Sequence, residues 1–384
     1  MSPDRFFIAQ ISPTPLHFFA KNAIIYTAKT EFRKGTDMKL TLSPSDALRV
    51  ARLKKITEEN DRILRLYANY LNLTPRLLDA RTVRDLAADC TIPAADAFRA
   101  LFSASIGLDV PDNPDDRRLE RVYIQAGVRS LSPTPYRNDA YVKTVRFGDL
   151  SVGKWRFTHG EYHAFEPFVC GHPVLTSDFR EIPQIGFFEE RFSFPSVTEN
   201  GVEWMTVTPN EAETMRAVIG EAHGRVLTYG LGLGYFTFHA SQKPEVQSVT
   251  VIERDPDLIG LFRNCILPQF PNRDKITVLH ADAFEFTERD MKPEAFDLAF
   301  VDIWHDQSDG LPLYLRMKRS ESRFPATAFR YWIEPTLLSS LRHMVTDRIF
   351  DETAGAEVRT YGEIETMLGD DYLRALAPKL RRLE

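Results

Sequence analysis

The hydrophobic rhythm of the chain changes twice. Between about 38 and 139, apolar residues recur at three- and four-residue spacing: Leu48, Val50, Leu53, Ile56, Ile63, Leu64, Tyr67 and Leu71. That spacing places them on one face of a helix. Ser43-Pro44-Ser45-Asp46 supplies a cap, a proline at the first helical position and an acid in the first turn. Thr74-Pro75 predicts another helix start, Thr82-Val83-Arg84-Asp85 resembles a capping box, and Ile92-Pro93 restarts the chain into a helix over 94–105. Between 140 and 210 the pattern becomes alternating, through 141–147, 154–158 and 192–208. Asn200-Gly201 divides the last run as a hairpin turn does. A small, largely antiparallel β module is predicted there. From 211 to 350, short apolar runs at 226–229, 249–252, 276–279, 298–301 and 329–333 alternate with helical segments. Such alternation predicts right-handed crossovers and a parallel sheet. Residues 1–37 read as an N-terminal arm, or as the result of an upstream start, and 351–384 as a C-terminal helical segment.

Composition sets the limits of this picture. The 384 residues suffice for two or three domains. The hydrophobic share of 43% and charged share of 27% are those of a soluble globular protein with real cores. A net charge of -6 argues against nonspecific nucleic-acid binding, which needs an excess of Lys and Arg. Three widely spaced cysteines, Cys90, Cys170 and Cys265, suggest neither a disulfide framework nor a zinc knuckle, and a reducing, cytoplasmic setting fits them. No apolar run approaches the length of a membrane span. The most apolar early stretch, 16–26, is broken by Lys21 and Asn22 and has no signal-peptide features.

The chemistry concentrates in the third part. Tyr229 ends its first strand, and the turn Gly230-Leu231-Gly232-Leu233-Gly234 follows it and opens a helix. Glycines there permit a sharp turn and let the backbone approach a ligand, with amides at the helix start facing it. Alone, this pattern also describes a tight turn with no ligand. Glu253 ends the second strand, where a carboxylate can accept from both hydroxyls of a ribose. Asp282 follows the third, with Ala283 and Phe284 beside it; it can accept from an adenine amine, or simply cap the next helix. Together the three define a nucleoside site at the carboxyl edge of a Rossmann-like α/β domain.

These residues resemble the class I S-adenosylmethionine-dependent methyltransferase superfamily over about 210–335. The resemblance implies Tyr229, Gly230, Gly232, Gly234, Glu253, Asp282 and Ala283 as S-adenosylmethionine contacts. Thr228 departs from the acid that often precedes the first glycine, and an NAD-dependent dehydrogenase shares the ribose acid. Within the superfamily the arrangement is most similar to spermidine synthases, which also place a β-hairpin module before the Rossmann domain and an acid-rich segment, here 208–215, between the two.

The fourth strand runs into Asp302-Ile303-Trp304-His305-Asp306. In the superfamily this strand end faces the sulfonium and the acceptor. That implies Asp302, His305 and Asp306 as candidates for holding or deprotonating an acceptor, and Trp304 as a pocket wall. Spermidine synthases carry two aspartates here, three residues apart rather than four. Some catechol-type methyltransferases bind magnesium at this position.

Three further features are weighed. His159, Glu161 and His163 alternate on one face of an extended segment, with His172 nearby, but lack a recognisable fourth-ligand spacing. The segment 82–105 resembles a helix-turn-helix with Arg99 as the only base on its second helix, so packing at a dimer or substrate-lid surface is the better reading. Arg316, Lys318 and Arg319 read as a solvated helix face that could contact an anion. The expectation is a cytoplasmic S-adenosylmethionine-dependent methyltransferase acting on a small molecule, with room for a homodimer. Aminopropyl transfer and a noncatalytic nucleoside-binding regulator are the alternatives.

Overall fold

The computed structural model describes residues 42–148, 151–350 and 360–380. The predicted arm over 1–37 lies outside the described residues, as do the two ends of the 351–384 segment. Helix α1 (Pro44–Leu73) buries the predicted stripe Leu53, Ile56, Ile63, Tyr67 and Leu71. Ser43 caps it, accepting from the Asp46 amide at 3.1 Å. Ser43→Ala should therefore cost about 1 kcal/mol of stability in chemical denaturation; an unchanged midpoint would show the cap to be dispensable.

Helix α2 (Ala80–Cys90) starts later than Thr74-Pro75 and earlier than Thr82 suggest. Asp79 is the cap, with its Oδ1 accepting from the Thr82 amide at 2.8 Å, so Thr82 occupies the third helical position. Helix α3 (Ala94–Ser105) follows at its predicted bounds. Strand β1 (Val128–Ser130) then leaves the helical part.

Residues 141–147 were expected to be extended. Ala140–Thr144 instead forms a short helix, α4, because Asp139 accepts from the amides of Tyr141 and Val142 at 2.8 and 3.3 Å. Here a local cap and the burial of Tyr141 override the alternating pattern. Strands β2 (Trp155–Tyr162), β3 (Ile185–Phe187), β4 (Phe192–Glu199) and β5 (Val202–Thr206) make up most of the β module. β4 lies between β2 and β5, all antiparallel. Asn200 and Gly201 both have positive φ, 51° and 84°, as the predicted two-residue turn requires. β3 pairs in parallel with β1, so the helical and β parts share a sheet. They also share a core that packs Phe98 and Phe102 with Phe165, Ile185 and Phe187.

Helix α5 (Pro209–Glu221) leads into the third part. Its elements are β6 (Gly224–Tyr229), α6 (Tyr235–Gln242), β7 (Val246–Glu253), α7 (Pro256–Leu261), β8 (Ile276–His280), β9 (Leu298–Val301), α8 (Gln307–Glu321) and β10 (Ala328–Tyr331), then α9 (Glu334–Phe350), α10 (Tyr361–Leu368) and α11 (Asp370–Leu376). The sheet order is β8-β7-β6-β9-β10, every pair parallel. This is the Rossmann-like arrangement, and its switch point lies between β6 and β9. Among the described residues no antiparallel strand extends this sheet.

A buried polar cluster fastens the three parts together. Glu181, ahead of β3, accepts from Arg342 and Ser339 on α9 and lies 3.2 Å from His343 Nε2. Arg342 also reaches Asp370, and His343 lies 3.8 Å from Asp61 on α1. Burial opposes ionisation of Glu181, but His343 and Arg342 outweigh it and hold the carboxyl down at about 2. Among the described residues no helix is long and apolar enough to cross a membrane.

Candidate functional site

A cavity of about 620 Å³ opens at the carboxyl edge of β6, β7 and β9, under a roof formed by β5 and the start of α5. It lies in the size range of small-molecule and cofactor sites. The switch point produces it: α6 and α8 leave the sheet on opposite sides of a crevice between β6 and β9.

The glycine turn forms one wall. Gly230 has φ +89°, and a Cβ there would stand 1.9 Å from the carbonyl oxygen of Asp302. Gly234 has φ +77°, with the Phe262 ring 2.6 Å from its would-be Cβ. Neither place admits a side chain. The Tyr229 side chain is not in the cavity. It is buried in the core, where its hydroxyl meets Thr287 at 2.6 Å and Met291 at 3.4 Å.

Glu253 ends β7 at the cavity. Its Oε2 accepts from the Leu231 amide at 3.1 Å, and its Oε1 from the amides of Arg254 and Asp255 at 2.7 and 2.8 Å. The carboxylate thus ties the glycine turn to the neighbouring strand end. Asp282 does cap the following turn, as its bland reading has it: Oδ1 accepts from the Phe284 and Glu285 amides at 2.9 and 3.1 Å. Its Oδ2 takes no part in the cap. Asp282, Ala283 and Phe284 all line the cavity, and Arg316 stacks on the Phe284 ring at 3.9 Å. Thr228 lies beneath, buried, its hydroxyl 3.5 Å from the Gly230 carbonyl.

The opposite end is acidic and aromatic. Asp302 follows β9, its amide donating to the Tyr229 carbonyl at 2.9 Å. Burial, with the Glu253 charge nearby, pushes its carboxyl up to about 7. Glu211, in the first turn of α5, is raised well above its ordinary value by burial and by Asp302. Trp304 is buried, and its indole N–H has no partner among the described residues. Asn210 lines the same end, and its buried Oδ1 is likewise unpaired.

Asp306 behaves differently from Asp302. It caps α8, accepting from the Ser308 amide at 2.6 Å, while Asp309 accepts from the Asp306 amide at 2.9 Å. Its Oδ2 lies 3.7 Å from His305 Nδ1. Burial opposes its ionisation, yet His305 and Ser308 hold it well below the usual carboxylate range. It is an anchored anion that orients His305 rather than a free base. The His305 ring sits 5.2 Å from that of Trp204.

The fold thus brings Gly230, Gly232, Glu253, Asp282, Ala283, Asp302, His305 and Asp306 to one cavity. Sequence reasoning missed Glu203, Glu211 and Trp204. Glu211 sat in the acid-rich segment already noted, but an acid in a first helical turn reads as ordinary capping.

Other candidates are engaged elsewhere. His163 Nε2 lies 3.0 Å from Glu161, which also faces Arg191 at 3.3 Å. Among the described residues no group of three or more His, Cys, Asp and Glu side chains is arranged to hold a metal ion. On α3, Arg99 pairs with Asp96 and reaches the Val128 carbonyl at 3.4 Å. Lys318 pairs with Glu321 at 2.5 Å.

No protein-family model and no curated protein matches the chain. Solved structures do match over part of it. A protein described as an O-methyltransferase from Klebsiella pneumoniae is 21% identical over 31% of this chain and 52% of its own, with a TM-score of 0.25. A spermidine synthase from Thermotoga maritima is 15% identical over 37% and 52%, at 0.26. Precorrin 8w decarboxylase from Methanobacterium thermoautotrophicum is 21% identical over 38% and 73%, at 0.27. The match spans about half the length of the first two. Both kinds of protein named for the motif resemblance, methyltransferases and spermidine synthases, are among these neighbours.

Proposed function

We propose that the chain is an S-adenosylmethionine-dependent transferase, with methyl transfer to a small molecule as the first reading. One observation carries it: a single cavity gathers the glycine turn, Glu253, Asp282 and the raised carboxyl of Asp302 at the switch point of a parallel sheet. The cradle suits a nucleoside. Gly230 leaves no room for a side chain, the Oδ2 of Asp282 is free for an exocyclic amine, and Glu253 stands where ribose hydroxyls would be met. When bound, the sulfonium supplies an electrophilic carbon. The protein's part is to orient the acceptor and take its proton. Asp302 accepts that proton at the cavity floor. Asp306 fixes His305 at the rim, and Trp304 walls the acceptor space.

The lining favours a second reading, aminopropyl transfer from the decarboxylated cofactor. Glu203, Glu211 and Asp302 surround the acceptor end. Of the two lining cations, Lys154 and Arg254, Lys154 is already paired with Glu199 and Asp255 at 2.7 and 3.0 Å. A donor without a carboxylate suits such an environment better than one that carries it.

Isothermal titration with S-adenosylmethionine, its demethylated product, the decarboxylated cofactor and NAD discriminates among these readings. Binding of none of the three sulfur nucleosides would sink the proposal. Glu253→Ala should weaken nucleoside binding by about 1 to 3 kcal/mol. An unchanged affinity would remove Glu253 from the ribose site.

A further inference from the structure

The glycine turn is poorly held by its own residues. Gly230, Gly232 and Gly234 all have positive φ, and glycine reaches such conformations without being confined to one. Gly234 stands at the N-cap of α6 and offers it no side chain. The hydrogen-bond ladder of α6 begins at the Gly234 carbonyl, which takes the Phe238 amide at 2.8 Å. The Leu233 carbonyl, one residue earlier, falls outside that ladder, although Leu233 is buried and lines the cavity.

Helix α4, which precedes the β module, supplies what is missing. Tyr141 is fully buried, and its hydroxyl donates to the Leu233 carbonyl at 2.5 Å. Its ring packs edge-on against those of Tyr235 and Phe238 on α6, with centroids 5.4 Å away in both cases. Asp139, the cap of α4, makes a second attachment. Its Oδ2 accepts from the Tyr235 hydroxyl at 3.1 Å, and its Oδ1 lies 3.2 Å from His239 Nε2. Tyr235 and His239 are one helical turn apart and share a face of α6. Burial opposes the Asp139 charge, but His239 and Tyr235 hold the carboxyl below its ordinary value. The chain beyond α4 is fastened to the same domain. Gln269 accepts from the Arg146 amide at 2.8 Å and donates to its carbonyl at 3.1 Å.

We infer that α4 is a clamp that orders the glycine turn in advance, and that Tyr141 and Asp139 are positioning residues for the nucleoside although neither lines the cavity. A turn held in one shape before the ligand arrives spares the binding step the cost of ordering it. This rests on the nucleoside reading of the cavity, and it makes the affinity of the parallel-sheet domain depend on a helix outside it.

The test uses the full chain. Tyr141→Phe removes one hydroxyl and keeps the ring. Asp139→Asn keeps the shape and an oxygen able to cap α4, but loses the charge that faces His239. Hydrogen–deuterium exchange without ligand is followed over 230–235, and S-adenosylmethionine and methylthioadenosine are titrated into each protein. Ser43→Ala, which removes the cap of α1, is the control for lowered stability alone. In Tyr141→Phe the turn should exchange about tenfold faster, and both nucleosides should bind about threefold to tenfold more weakly. Asp139→Asn should move both readouts in the same direction, and it carries the test if Tyr141→Phe does not fold. Ser43→Ala should move neither. The inference is overturned if either readout stays within about twofold of wild type in the folded variant, or if Ser43→Ala shifts both equally. If neither nucleoside binds the wild type, the nucleoside reading falls; faster exchange of the turn then leaves the clamp standing, and unchanged exchange removes it.

Discussion

Asp302→Asn is expected to lower kcat by about a hundredfold to ten-thousandfold, the usual worth of a positioned base, while nucleoside affinity stays within about twofold. The substitution keeps the shape and the backbone bond from the Asp302 amide to the Tyr229 carbonyl. It removes the one carboxyl at the end of β9 whose oxygens are not committed to a cap. Asp306 cannot replace it, because its oxygens hold Ser308 and His305. In the wild type, turnover should rise with pH through about 7, since the carboxyl acts as a base only when ionised. Stability should move the other way. A carboxyl raised in the folded state favours folding most in acid, and that contribution is lost as pH rises from the unfolded value near 4 through about 7. Asp302→Asn should flatten both profiles. Full activity in the variant, or a pH-rate profile that keeps its rise, would take Asp302 out of the chemistry.

Gly230→Ala is expected to abolish measurable nucleoside binding and to lower stability by several kcal/mol. The left-handed backbone alone strains a side chain by about 1 to 3 kcal/mol. The larger cost is steric: the new Cβ would stand 1.9 Å from the carbonyl oxygen of Asp302, a backbone atom that cannot rotate away. Either β6 or the end of β9 must shift, and both line the cavity. Gly232→Ala is the control. Its φ is +52°, and the nearest atom to its Cβ is Met205 Sδ at 4.0 Å, the end of a flexible side chain. Thermal unfolding and titration of the two variants should separate them clearly. Equal losses would mean that the turn is sensitive to any side chain and that the contact with Asp302 is incidental.

The parallel sheet was legible because each strand is a short apolar run bounded by turn residues, and β9 lies where its run of four ends. That the residues at those strand ends would line one cavity was legible too, since position in the topology brings them together. What failed depended on local competition. Residues 141–147 alternate as a strand would, but Asp139 caps them into a helix, and Tyr141 is drawn inward to donate to the Leu233 carbonyl. The acidic and aromatic end of the cavity was legible only in part. Asp302 and Trp304 stood next to a strand end, whereas Glu203 and Trp204 reach the cavity through a one-residue bulge, and alternation predicts opposite faces for neighbours. Glu211 looked like a first-turn acid until the fold set it in the cavity within reach of the Asp302 charge.

The cluster around Glu181 has a consequence for how the chain is made. Glu181 is sealed by Arg342 and Ser339, which follow it by 161 and 158 residues. While the polypeptide is being synthesised, its first half can assemble helices and strands but holds an acid with no cation to meet it. That half has its own shared core, but its junction with the third part is completed only when the last crossover has emerged and α9 docks. Closure over so long a span is slow, so the cavity wall built by the β module and the crevice of the parallel sheet reach their final relation together, late in folding.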